Sequence, residues 1–84
     1  MIKILYFARI KEGLGIGQES IEFPRDITNV AALTVWLRQR GENWQAELAP
    51  GKALRIAVNQ TMVAMDASIK DGDEIAYFPP VTGG

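Results

Sequence analysis

Chemistry in this chain has few places to reside. There is no cysteine and no histidine among its 84 residues. That composition removes disulfides, thiolate nucleophiles, zinc sites built on nitrogen or sulfur, and every Ser-His or Cys-His arrangement. Carboxylates, lysines, hydroxyls and the chain terminus remain. Asp71, Asp73 and Glu74 cluster around the turn dipeptide Asp71-Gly72. They read as solvated turn residues, because a hard-cation site needs about six oxygens from a properly spaced loop. Gly13, Gly15 and Gly17 are spaced G-x-G-x-G, whereas a dinucleotide cradle needs G-x-G-x-x-G opening a helix, so a loop is expected there. Paired carboxylates could do acid–base work, but a chain this small is not expected to form the deep pocket that would perturb them.

The remaining stretch is Phe78-Pro79-Pro80-Val81-Thr82-Gly83-Gly84. Each proline fixes its own φ and disfavours helix for the residue before it, so Phe78 and Pro79 should be extended. From Pro80 the backbone can project by roughly 15 Å, at about 3.1 to 3.5 Å per residue. Val81 and Thr82 are stiff, and Gly83 and Gly84 carry no side chain. A rigid root thus bears a slender tip ending in a carboxylate. Ordinary fraying of a terminus is the competing reading.

Something must hold that root in place. Ile2 to Arg9 alternates Ile2, Ile4, Tyr6 and Ala8 against Lys3, Leu5, Phe7 and Arg9, which predicts a strand. Gln18 to Phe23 alternates again and should pair with it across the glycine loop, which Leu14 and Ile16 would pin to the body. Thr28 or Asn29 should cap a helix whose stripe is Val30, Leu33 and Leu37, with Arg38 and Arg40 in its last turn and Gly41 as the C′ residue. Trp36 falls off that stripe. Trp44 and Leu48 suggest a short helical turn, closed by Pro50-Gly51. Leu54 to Val58, Thr61 to Met65 and Glu74 to Phe78 are three more strands, with Asn59-Gln60 as a tight turn. The expected order is ββαβββ: an α+β domain whose mixed sheet of four to five strands packs on one main helix. The domain should span residues 1–78 and the extended tail 79–84.

Apolar residues make up 48% of the chain and charged ones 23%, as in ordinary folded proteins. A net charge of −1 offers no basic footprint for nucleic acid. The longest apolar run, Ile4 to Ala8, is too short for a leader or a membrane span, so a cytoplasmic protein is expected. One sheet face should hold Ile2, Ile4, Tyr6, Leu54, Ile56, Val58, Ile75 and Tyr77 against the helix. The other carries Leu5, Phe7 and Phe78, with Met62 beside them. Several large apolar residues together usually mark a partner surface; a covered second core is the alternative. Phe78 also roots the tail, so if the first and last strands are neighbours, patch and tail serve one binding event.

Three segments now carry a resemblance. They are Ile2-Lys3-Ile4-Leu5-Tyr6-Phe7-Ala8-Arg9, Ala57-Val58-Asn59-Gln60-Thr61, and Asp71 through Gly84 with its Phe-Pro-Pro-Val-Thr-Gly-Gly end. The chain resembles the small, sulfur-carrier subunits of molybdopterin synthase, which have a ubiquitin-like β-grasp fold. The resemblance covers essentially the whole length and is loose at residues 13–17 and 42–53. It implies that Gly84 is adenylated with ATP by a ubiquitin-activating-type adenylyltransferase and converted to a thiocarboxylate. The loaded tip would then enter the large synthase subunit, in an assembly of two small and two large subunits, and give its sulfur to cyclic pyranopterin monophosphate. The active-site residues would belong to the large subunit, and this chain would bind no cofactor or metal of its own. Gly83 would keep the tip narrow, and Leu5, Phe7, Met62, Phe78, Pro79, Pro80, Val81 and Thr82 would contact partners. A thiazole-forming sulfur carrier shares the fold and the Gly-Gly end, but usually is shorter and lacks this root. A ubiquitin-like modifier joined to lysines is the other reading.

Overall fold

Period-two alternation decides which side of the sheet each residue occupies, and one helix covers one side. A computed structural model describes residues 1–80. Its elements are β1 (Ile2–Tyr6), α1 (Ala8–Leu14), β2 (Gln18–Ile21), α2 (Val30–Arg38), α3 (Glu42–Glu47), β3 (Arg55–Val58), β4 (Thr61–Val63) and β5 (Glu74–Phe78). The strands form one sheet in the order β2-β1-β5-β3-β4. The central pair β1 and β5 is parallel and the other neighbours are antiparallel. Ile4 lies opposite Ile75, and Tyr77 stands between Tyr6 and Ile56. These side chains, with Ile2, point to one face and are buried under Val30, Leu33 and Leu37 of α2. Leu54 and Val58 close the margin of this core, half-buried.

Helix α2 begins where its cap predicts. The Asn29 side chain accepts the Ala32 N–H at 2.8 Å, satisfying one of the free donors of the first turn. Inside the core, the Thr34 hydroxyl bonds the Val30 carbonyl at 2.9 Å and the Tyr77 hydroxyl at 2.8 Å, so neither buried hydroxyl is left unpaired. The helix stops at Arg38, with Gln39 and Arg40 donating three residues back to Trp36 and Leu37. Gly41 is therefore not its C′ residue; it precedes α3 as the N-cap. The turn expected around Trp44 and Leu48 is α3, and Leu48 is fully buried.

Two further expectations are corrected. Residues 8–14 form a helix, so β1 ends at Tyr6 and not at Arg9. The alternation of Phe7, Ala8 and Arg9 continues the strand pattern on paper, but Ile10 buries itself against the sheet and Leu14, one turn on, packs beside it. Gly15 ends the helix at φ 79°, where its N–H reaches the Lys11 carbonyl, and glycine suits this left-handed position. The second correction concerns Asp73, which is 4% exposed and not solvated. Its carboxylate accepts from the Asn59 amide at 3.0 Å, the Lys70 N–H at 2.9 Å and the Lys70 ammonium at 3.0 Å. The Asn59 side-chain oxygen in turn accepts the Glu74 N–H at 3.0 Å. Asn59 and Gln60, at φ 51° and 70°, make the tight β3–β4 turn from two left-handed residues. That turn and the start of β5 are thereby tied together. Burial by itself would raise the Asp73 pKa, but the Asn59 and Lys70 hydrogen bonds and the Lys70 charge outweigh it and hold it below the ordinary aspartate value.

Candidate docking face and tail root

The uncovered sheet face is set by the same registers. Leu5 lies opposite Ala76, Ala76 opposite Ala57, Ala57 opposite Met62, and Phe78 opposite Arg55. Ala57 and Ala76 are small and nearly covered by their neighbours, so they floor the face while the larger side chains stand above it. Phe7 and Phe78 stack in parallel, with ring centroids 4.7 Å apart and planes 5° from each other. Such a pair contributes about 0.5 to 1.5 kcal/mol beyond the area it buries. Phe7 is nonetheless 39% exposed and Met62 53% exposed.

Phe7 owes its position to two backbone features. Its N–H donates to the Tyr77 carbonyl at 3.2 Å, adding one rung beyond β1. Ala8 follows at φ 51°, in the left-handed region, and turns the chain abruptly into α1. A Cβ there costs about 1 kcal/mol, a strain that the surrounding packing must hold. The ring is left on the outward face as the chain turns away.

An open groove of about 440 Å³ results, lined by Phe7, Ala8, Arg55, Met62, Phe78, Pro79 and Pro80. Five residues expected to meet partners (Phe7, Met62, Phe78, Pro79 and Pro80) are thus brought into one site. Leu5 shares the face, half-buried beside Ala76, without lining the groove. Val81, Thr82, Gly83 and Gly84 lie outside the described residues. Arg55, Ala57 and Ala76 were not singled out by sequence. A lone exposed cation and two strand alanines give no signal until pairing places them beside Phe78 and Met62.

On the other face a polar network joins β1, β2 and α2. The Tyr6 hydroxyl donates to Glu19 at 2.7 Å, and Arg40 grips the same carboxylate through two bonds of 2.7 and 2.9 Å. Its guanidinium lies 4.3 Å from the Trp44 ring centre and 5.6 Å from that of Trp36, which explains the half-buried Trp36 off the main stripe. Burial, then the hydrogen bond and charge of Glu19, push the Tyr6 hydroxyl pKa far up. Burial opposes ionisation of Glu19 too, yet the Arg40 and Tyr6 hydrogen bonds and the Arg40 charge bring its pKa below the ordinary value. The network fastens elements together and lines no part of the docking groove.

Among the described residues around the groove the side chains are apolar apart from one guanidinium, and none of them is a nucleophile or an acid–base group. The architecture is a ubiquitin-like β-grasp, with an open apolar groove at the root of its C-terminal segment. By sequence the chain belongs to the ThiS family, whose match spans residues 4–84. It is 44% identical to a molybdopterin synthase sulfur carrier subunit of Escherichia coli and 40% identical to one of Haemophilus influenzae, each over 84 residues and the full length of both chains. Among solved structures it is similar to a putative molybdopterin converting factor subunit 1 of Pyrococcus furiosus, with 31% identity, a TM-score of 0.74, and coverage of 95% of this chain and 97% of that one. It is also similar to a chain from the complex of subunits 1 and 2 of the molybdopterin-converting factor of Helicobacter pylori, at 27% identity and a TM-score of 0.64, covering 99% of this chain and 97% of that one.

Proposed function

We propose that this chain is the sulfur-carrier subunit of a molybdopterin synthase, with Gly84 as its reactive end. One observation carries the reading: the Phe7–Phe78 stack and its groove stand at the root of the tail, so docking a partner and delivering the tip become one event. The full-length relatives support it, and the Helicobacter pylori complex suggests the large synthase subunit as the partner. Two small and two large subunits would form the assembly.

The chemistry follows from the terminus. An α-carboxylate with a pKa of about 3.5 is ionised at neutral pH and is a poor electrophile. A partner adenylyltransferase of the ubiquitin-activating type would join the Gly84 carboxylate to the α-phosphorus of ATP, releasing pyrophosphate. A sulfur nucleophile would then displace AMP to give the thiocarboxylate. ATP is used by the partner and held by no residue of this chain. Once docked, the tip would reach into the large subunit and pass its sulfur to cyclic pyranopterin monophosphate. Bare glycines at 83 and 84 suit a narrow tunnel, and the Pro79-Pro80 root limits the entropy lost on threading.

Intact mass after incubation with the activating enzyme, ATP and a sulfur source tests the first half. One sulfur-for-oxygen exchange confined to Gly84 is expected; an unchanged mass would sink the carrier role. Adding the large subunit and the pterin precursor should then consume the thiocarboxylate. Accumulation of lysine-linked conjugates instead would indicate a protein modifier.

A further inference from the structure

A second groove lies beside the first, at the end of the sheet between the docking face and the core margin. It measures about 460 Å³ and opens where β3 and β4 diverge, lined by Leu54, Val63 and Ala64 among others. Arg55, Met62 and Pro80 line both grooves and form the ridge between them. Among the described residues, Arg55 is the one charged residue lining either groove. It is exposed and makes no ion pair or side-chain hydrogen bond among the described residues. Arg40, by contrast, is engaged through two bonds to Glu19.

We propose that Arg55 selects the partner: the surface that docks here presents a carboxylate to the guanidinium, between apolar side chains that enter the two grooves. This rests on the docking reading above and adds the chemistry that the large subunit must offer. The physical reason is desolvation. Any apolar surface that fills both grooves removes water from the guanidinium between them, and an unpaired charge treated in this way opposes binding. A carboxylate can meet the guanidinium with two parallel hydrogen bonds, which turns the penalty into discrimination. A second copy of this chain meeting this face with its own is a poor occupant, because among the described residues no acidic side chain lines either groove to supply that pairing.

The test uses the full chain and immobilised large synthase subunit, with binding rates read at about 50 and 300 mM salt, where screening differs strongly. Arg55→Gln should weaken binding about 5- to 10-fold at the lower salt and flatten the salt dependence, while thermal unfolding stays unchanged. Arg55→Glu should weaken it about 50-fold or more, with part of the loss in the association rate. Wild-type affinity and salt dependence in both variants would overturn the assignment, as would equal losses for Gln and Glu. Dimers of the wild-type chain that Arg55→Glu dissociates would also overturn it, assigning the ridge to a second copy. Failure of the wild-type chain to bind the large subunit would remove the docking reading itself, and this inference with it.

Discussion

Phe7 and Ala8 show how an exposed ring is held in place at some cost to stability. Phe7 leaves a large apolar ring in water while stacking on Phe78, and Ala8 occupies a left-handed conformation to hold it there. Replacing Phe7 by Asp should cost about 1 kcal/mol through the lost stack, a drop of roughly 4 to 8 °C in melting temperature for a domain of this size. Affinity for the large subunit should fall by about 100-fold, as for a hot-spot aromatic. Calorimetric melting and titration distinguish this from global unfolding, which would make Phe7 a core residue. Ala8→Gly should raise stability by up to about 1 kcal/mol, because glycine adopts positive φ without a Cβ clash. A lower melting temperature would show that the loss of chain entropy outweighs the strain.

At the scale of elements, the base of β5 depends on one buried carboxylate. Asp73 ties the Asn59-Gln60 turn to Lys70 and, through Asn59, to Glu74. Its folded pKa lies below the unfolded value of about 3.9, so its contribution is present above that pH and is lost as pH falls through the folded pKa. Asp73→Asn should therefore destabilise the protein by about 1 to 3 kcal/mol at pH 7, and the difference from wild type should shrink below about pH 4. Denaturant titrations between pH 2 and 7 check this; a gap independent of pH would refute the linkage. The exposed Lys70 ammonium contributes little to that sum, since solvent screens it. In α2, Leu33→Ala should cost about 2 to 5 kcal/mol, because the side chain is completely enclosed between helix and sheet.

Across the whole molecule, stability and proposed activity are divided between the sheet and the terminus. Deleting Gly84 should abolish sulfur transfer and leave the unfolding transition within about 0.5 kcal/mol of wild type, as for loss of a terminal residue that has no side chain. Intact mass and thermal melting on the same sample check both halves; equal sulfur transfer by the truncated chain would sink the proposed mechanism. Much of this architecture is legible in the chain. The strand alternation up to Tyr6 and in the later strands, the Val30-Leu33-Leu37 stripe, the Asn29 cap and the Asn59-Gln60 turn are local signals, and each has the expected kind of structure. Helix α1 was not legible, because over seven residues the alternation of Phe7, Ala8 and Arg9 competes with the Ile10–Leu14 spacing, and only packing decides between them. The burial of Asp73 was hidden for a related reason: its partner Asn59 is 14 residues away.

The sequence by itself determined which chemistry the side chains can offer, having no cysteine or histidine, and it determined the inward and outward residues of each strand through side-chain period. Tertiary structure alone decided that β1 and β5 lie side by side. That parallel pairing joins residues about 70 positions apart, a closure that no local periodicity encodes. It stacks Phe7 on Phe78 at the root of the tail, and the antiparallel β3–β5 pairing sets Arg55 opposite Phe78 along the same groove.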